Sequence, residues 1–251
     1  MTAAAIMGVF LVGCTSLYLA QPAPVSDVTT VSALDPFASR RQAARPPEEV
    51  APDDGGAPAA VQASFFESAA APADEGPAPA VDHGEIARLQ DALAREPDDA
   101  ETLMELGQAL VHAERMDDAL LYMTRAVELH PDRWTFRFKL GRAYALLGRW
   151  SDAIEEYQHA ERLQPGDATT AFNLGMVLYQ RGDDASSIEA YARAIALAPA
   201  NASYRLAVAT SYERLRDTTR AAAAYGEYLR LAPNDPDAER VRTRLAQLNE
   251  R

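Results

Sequence analysis

The sequence is short of the chemistry that enzymes and nucleic-acid binders need. It has one cysteine in 251 residues, so no intramolecular disulfide can form. Lys and Arg number 24 against 37 Asp and Glu, a formal net charge of −13, and the basic residues are scattered and mostly arginine. Charge-driven binding to nucleic acid is thereby disfavoured. No P-loop, G-x-S-x-G or G-x-G-x-x-G run occurs. The histidines, His83, His112, His130 and His159, lie far apart, and none pairs with Asp, Glu or Cys at metal-ligand spacing. Acidic pairs such as Asp117-Asp118, Glu155-Glu156 and Asp183-Asp184 suit helix starts and solvated faces better than acid–base work. The expectation is a protein that is not an enzyme, with no catalytic residue, metal, cofactor or small-molecule substrate.

What is present is a period. Pro97, Pro131, Pro165, Pro199 and Pro233 stand 34 residues apart. A fixed spacing of that size marks a helical repeat array. Other residues keep the register: Leu106-Gly107, Leu140-Gly141 and Leu174-Gly175, then Met123, Tyr157, Tyr191 and Tyr225, then Ala126, Ala160 and Ala194. Glycine lets two helices cross closely, and the aromatics fill the gap between pairs. Proline ends the second helix of each unit, because it cannot donate and restricts the residue before it. Candidate N-caps restart the first helices at Asp132, Asp167, Asn201 and Asp235, and the second helices at Asp117, Ser151, Asp184 and Thr219. No unit buries its apolar face alone, so the stack is the folding unit.

These residues resemble the tetratricopeptide repeat (TPR) family. The resemblance implies an all-α solenoid, a right-handed superhelix of antiparallel helix pairs A and B. Repeat frames fall at 100–133, 134–167, 168–201 and 202–235. The pattern is departed from in places. Position 4, aromatic in the family, holds Leu103, Arg137, Ala171 and Arg205; Ser187 stands where Ala is usual, Ala209 where Gly is, and Tyr228 where Ala is. Residues 83–99 read as an N-terminal capping helix with Ile86, Leu89 and Leu93 on one face. Residues 236–251 read as a C-terminal capping helix with Val241, Leu245 and Leu248 on one face.

Ahead of the array, residues 21–82 hold ten of the sixteen prolines, a disordered-linker composition that favours a semi-extended spacer. Phe65-Phe66, within a possible short helix at 61–71, form a candidate docking motif there. Residues 1–20 are apolar, and Leu11-Val12-Gly13-Cys14 resembles the bacterial lipobox, which implies a lipoprotein signal peptide cut before a lipidated Cys14. The run from Ala3 to Ala20 is also long enough for an uncleaved single-span anchor, and a cut after Ala20 is a third reading. No Lys or Arg precedes the run. The implied location is the bacterial cell envelope, lipid-anchored and facing the periplasm, with the outer membrane favoured over the inner.

In TPR proteins one stripe of helix A lines the concave groove. Carried onto this sequence, that stripe gives Met104, Gln108, Val111, Phe138, Arg142, Phe172, Met176, Tyr179, Leu206 and Thr210 as the peptide-binding groove. Its apolar and aromatic character implies a protein or peptide partner with an apolar or amphipathic segment, and disfavours capture of an acidic C-terminus. The alternative is that the stripe faces an inner helix, such as the N- or C-terminal cap folding into the groove, or another copy. The layout resembles TPR lipoproteins that assist pilus or secretion-machine assembly, including those of tight-adherence pili. The functional expectation is a membrane-tethered adaptor that scaffolds protein–protein contacts. A regulatory or assembly subunit of an envelope enzyme, in peptidoglycan or cytochrome maturation, is the alternative.

Overall fold

The computed structural model describes residues 83–250. Among them lie ten α-helices and no strand: α1 (His83–Arg95), α2 (Ala100–His112), α3 (Met116–Leu129), α4 (Trp134–Leu146), α5 (Trp150–Leu163), α6 (Ala168–Arg181), α7 (Asp184–Leu197), α8 (Ala202–Arg214), α9 (Thr218–Leu231) and α10 (Ala238–Asn249). The first and second helices of each 34-residue unit pack as α2·α3, α4·α5, α6·α7 and α8·α9, and each second helix then packs on the first helix of the next unit. Helix α1 packs on α2 in the place of a second helix, and α10 packs on α9 as the first helix of a fifth unit.

Within a pair, the crossing is set by glycine. A Cβ on Gly175 would sit 2.6 Å from the Tyr191 ring, closer than any real contact, and Gly107 faces Met123 even more tightly. Ala209 is the exception in the last pair, where it packs with Ala221 and Tyr225. The turn from first to second helix has its own period. Glu114, Gly148, Gly182 and Arg216 lie 34 residues apart, and all four adopt positive φ, between 57° and 90°. Glycine meets that demand without steric cost, whereas Glu114 and Arg216 bear a Cβ in the left-handed region.

Six caps sit one or two residues away from the positions the sequence pattern suggested. Asp183 and Asp217, rather than Asp184 and Thr219, cap α7 and α9 by accepting from Ser186 N and Arg220 N. Arg115 and Arg149, rather than Asp117 and Ser151, precede α3 and α5. There the guanidinium donates to Asp118 or Asp152 one turn on, at 2.6 Å in both cases. Arg133 and Asp237, rather than Asp132 and Asp235, precede α4 and α10. Asp167 and Asn201 cap α6 and α8 as expected.

The departures from the repeat pattern find local answers. Arg137 donates to Pro131 O and to Glu156, both at 2.9 Å. Arg205 sits at the same place one double repeat later, where Ala224 replaces the glutamate, and its Nε is buried without a hydrogen-bond partner. Ser187 Oγ donates to Asp184 O and meets Ser211 Oγ at 2.9 Å, joining units three and four through a fully buried hydroxyl pair. Tyr228 fills the joint with α10, packing with Val241 and Leu248, while its hydroxyl donates to Asp235 at 2.7 Å. Arg244 of α10 holds Glu213 of α8 through two bonds of 2.7 and 3.0 Å.

Candidate functional site

The first helices of neighbouring units come together, α4 against α6 and α6 against α8. Helix sequence puts a residue of one stripe at every third or fourth position, so these contacts lay the stripes of successive units side by side. The structure sorts the ten residues of the predicted groove into two sets. Met104, Phe172, Met176 and Leu206 are buried, between 1% and 7% exposed. Phe172 lies between Tyr191 and Tyr204, with ring centroids 5.6 and 4.6 Å away, inside a core cluster with Met176 and Ala207. Leu206 belongs to the last cluster, with Tyr225 and Val241. Gln108, Val111, Phe138, Arg142, Tyr179 and Thr210 are half-buried and keep a face at the surface.

Three of those half-buried residues converge. Gln108 and Val111 of α2 and Arg142 of α4 line an indentation with Lys139 and Leu146, over Met123 and Ala143. Leu146 at its mouth is 49% exposed, and Leu147 beside it is also exposed.

Further along, side chains of the molecule itself occupy the stripe. The Arg214 guanidinium lies over the Tyr179 ring at 3.6 Å and is held there by Asp184 and by Tyr179 O. Such a cation–π contact covers the ring face. Thr210 turns back on its own helix, donating to Ala207 O at 2.7 Å. Phe138 leans on Tyr157, centroid 5.6 Å away, and on Trp134. Burial pushes the Tyr157 and Tyr191 hydroxyls well above the usual tyrosine range, so both are neutral members of the packing.

The remaining sequence candidates are dispersed. His130 meets the edge of Phe136, and His159 stands 4.0 Å from Glu155 across one helical turn. Among the described residues, no three His, Cys, Asp or Glu side chains are grouped to hold a metal, and no helix is long and apolar enough to cross a membrane. Cys14, the linker and Phe65-Phe66 lie outside the described residues. The left-handed turn positions and the indentation between α2 and α4 were not foreseen from the sequence. The recurrence of Gly148 and Gly182 was a signal for the first, whereas the second had none.

An array of packed helix pairs with a partly open inner stripe defines a helical-repeat scaffold of the protein-interaction class. The tetratricopeptide repeat family model matches residues 86–133, 117–168, 138–202 and 172–236, and the chain belongs to that family. The helix pairs thus form the right-handed superhelix of a TPR solenoid. A crystal structure of MamA is 24% identical, with a TM-score of 0.57 over 59% of this chain and 86% of that one. A TPR protein of Thermus thermophilus is 24% identical, with a TM-score of 0.50 over 66% and 89%. YrrB, described as a TPR protein with an unusual peptide-binding site, is 17% identical, with a TM-score of 0.55 over 68% and 86%. At these identities the likeness is one of fold. No curated protein matches the sequence.

Proposed function

We propose that the protein is a membrane-tethered adaptor that holds an apolar or amphipathic segment of a partner protein against α2 and α4, in the assembly of an envelope machine such as a pilus or secretion system. The observation that carries this reading is the indentation between those helices. It joins half-buried Gln108, Val111 and Arg142 to the exposed Leu146. Apolar side chains at the mouth contribute burial, while an amide and cations on the walls fix direction, the division of labour usual in helix-in-groove recognition. The peptide-binding site named for YrrB is in keeping with it. The apolar run of residues 1–20, with its Leu11-Val12-Gly13-Cys14 lipobox-like stretch, supports the tether, and the proline-rich residues 21–82 would supply reach.

The direct test is a photoreactive amino acid in place of Arg142 in the full chain, activated in the native envelope. A protein captured through α2 and α4, and lost with Leu146→Asp, is expected. Capture that Leu146→Asp leaves unchanged would count against this site. Cys14→Ser with membrane fractionation and lipid labelling tests the tether separately.

A further inference from the structure

We propose that Arg205 of α8, beside Ala224 of α9, forms a socket for the carboxylate of an acidic side chain on a partner protein. The repeat supplies the internal comparison. In the second unit, position 4 meets the residue nineteen further on, Arg137 with Glu156. The same two places hold Leu103 and Tyr122 in the first unit, and Ala171 and Ala190 in the third. Those four residues are all buried, so each of these couples sets apolar against apolar. The fourth couple, Arg205 and Ala224, sets a cation beside a methyl group.

The two arginines differ in what they hold. Arg137 donates from Nε to Pro131 O and from its guanidinium to Glu156, both at 2.9 Å. The Arg205 Nε is buried and has no hydrogen-bond partner among the described residues. Glu227 feels the Arg205 charge but is engaged elsewhere. Its carboxyl is held below the usual range chiefly by Arg230, which donates to it at 2.8 and 3.1 Å, and Arg205 adds the smallest share. A guanidinium stays charged at any ordinary pH. Removing its N–H from water without supplying an acceptor costs free energy that a carboxylate would return.

The place borders solvent. In the second unit the Arg137 and Glu156 side chains are 15% and 16% exposed, and Arg205 and Ala224 are both half-buried. Residues 221–224 are four alanines, where the second unit has Ala153-Ile154-Glu155-Glu156. The α9 wall therefore carries nothing longer than a methyl group along that turn. Ala224 packs on the cluster of Tyr204, Ala207 and Val208, which gives the socket an apolar floor. Glu156 shows the ligand that fits such a place: one carboxylate, on a side chain, in a charge-assisted bond to the guanidinium. Position 4 is not part of the inner stripe, so this inference stands apart from the groove reading.

The probe is N-acetylglutamate α-amide, added to the full chain in detergent and followed by NMR at the Arg205 Nε–H, assigned with Arg205→Lys. A saturable shift is expected there. None is expected from N-acetylglutamine α-amide, and none at the Arg137 Nε–H, whose acceptors are in place. Ala224→Glu should supply the carboxylate from within, raise Tm and weaken the probe by about tenfold. Arg205→Met should fold like the parent and lose the saturation-transfer signal of the probe. The absence of a saturable shift, an equal shift with the glutamine analogue, or a signal retained in Arg205→Met would each overturn the proposal. A lower Tm for Ala224→Glu would overturn it too, because the socket would then reject the group it is assigned. Tighter binding of N-acetylalanine, a chain-end carboxylate, would overturn the assignment to a side chain.

Discussion

Phe172→Ala separates packing from binding on the inner stripe. The ring is 1% exposed, stacked on Tyr204 at 4.6 Å and tilted against Tyr191 at 5.6 Å. Truncating a buried phenylalanine removes its transfer free energy and leaves a cavity, together about 3–5 kcal/mol. For a domain of this size each kcal/mol moves the melting temperature by about 2–4 °C, so Tm should fall by roughly 6–20 °C. The loss falls at the joint of units three and four, because Tyr204 belongs to the first helix of the fourth unit and Tyr191 to the second helix of the third. A solenoid is a chain of neighbour interfaces, and a weakened joint lets the far units open separately. Circular dichroism should therefore show a broadened or split transition beside the lower midpoint. Leu146→Asp, at a 49% exposed position, should move stability by no more than about 0.5 kcal/mol. A Phe172→Ala protein melting within about 2 °C of the parent would refute the placement of that ring in the core. It would return Phe172 to the ligand-facing surface.

Other expectations concern the departures from the repeat pattern. Ser187→Ala leaves Ser211 without its buried partner and should cost about 1–3 kcal/mol, whereas Ser187→Ala with Ser211→Ala should recover most of it; a urea-unfolding double-mutant cycle with no coupling would contradict the shared bond. Arg137→Met strands the half-buried Glu156 and should destabilise by about 1–3 kcal/mol, but Arg205→Met removes a buried N–H that has no partner and should be neutral or stabilising. Equal losses in the two variants would show that the glutamate at one place and Ala224 at the other make no difference. Arg216→Gly relieves a left-handed backbone at φ 60° and should stabilise by about 0.5–1 kcal/mol in thermal melts, and a lower Tm would refute the strain. The Asp183 and Asp217 carboxyls are held below the usual aspartate range, chiefly by bonds from Ser186 and from the Arg220 backbone N–H. Their folded values lie below their unfolded ones, so their contribution is complete above about pH 4 and is lost as pH falls through the lowered values. Asp183→Asn with Asp217→Asn should flatten the acid limb of a Tm-against-pH curve, and an unchanged limb would remove these caps from its cause.

The repeat was legible because its makers are short-range. Proline stops a helix wherever it stands, and glycine is demanded wherever a partner ring presses on the helix backbone, as Tyr191 presses on Gly175. The groove was legible only as a stripe. Periodicity places Phe172 and Val111 on equivalent faces of their helices, but it carries no information on how near the next helix comes. Phe172 is enclosed because Tyr204 stacks on it from the following unit, while Val111 stays half-buried at the indentation between α2 and α4. Cap positions slipped for a related reason. Arg115 and Arg149 serve as first residues only because an aspartate three residues on reaches back to each guanidinium.

The sequence by itself determined the number of units, their pairing, the family and the end helices, since each follows from residues that act within one unit or on the adjacent one. Tertiary structure decided which inner residues are core and which are surface. That choice depends on the spacing between successive first helices, set by the summed fit of many side chains across each joint and by no single residue in the period.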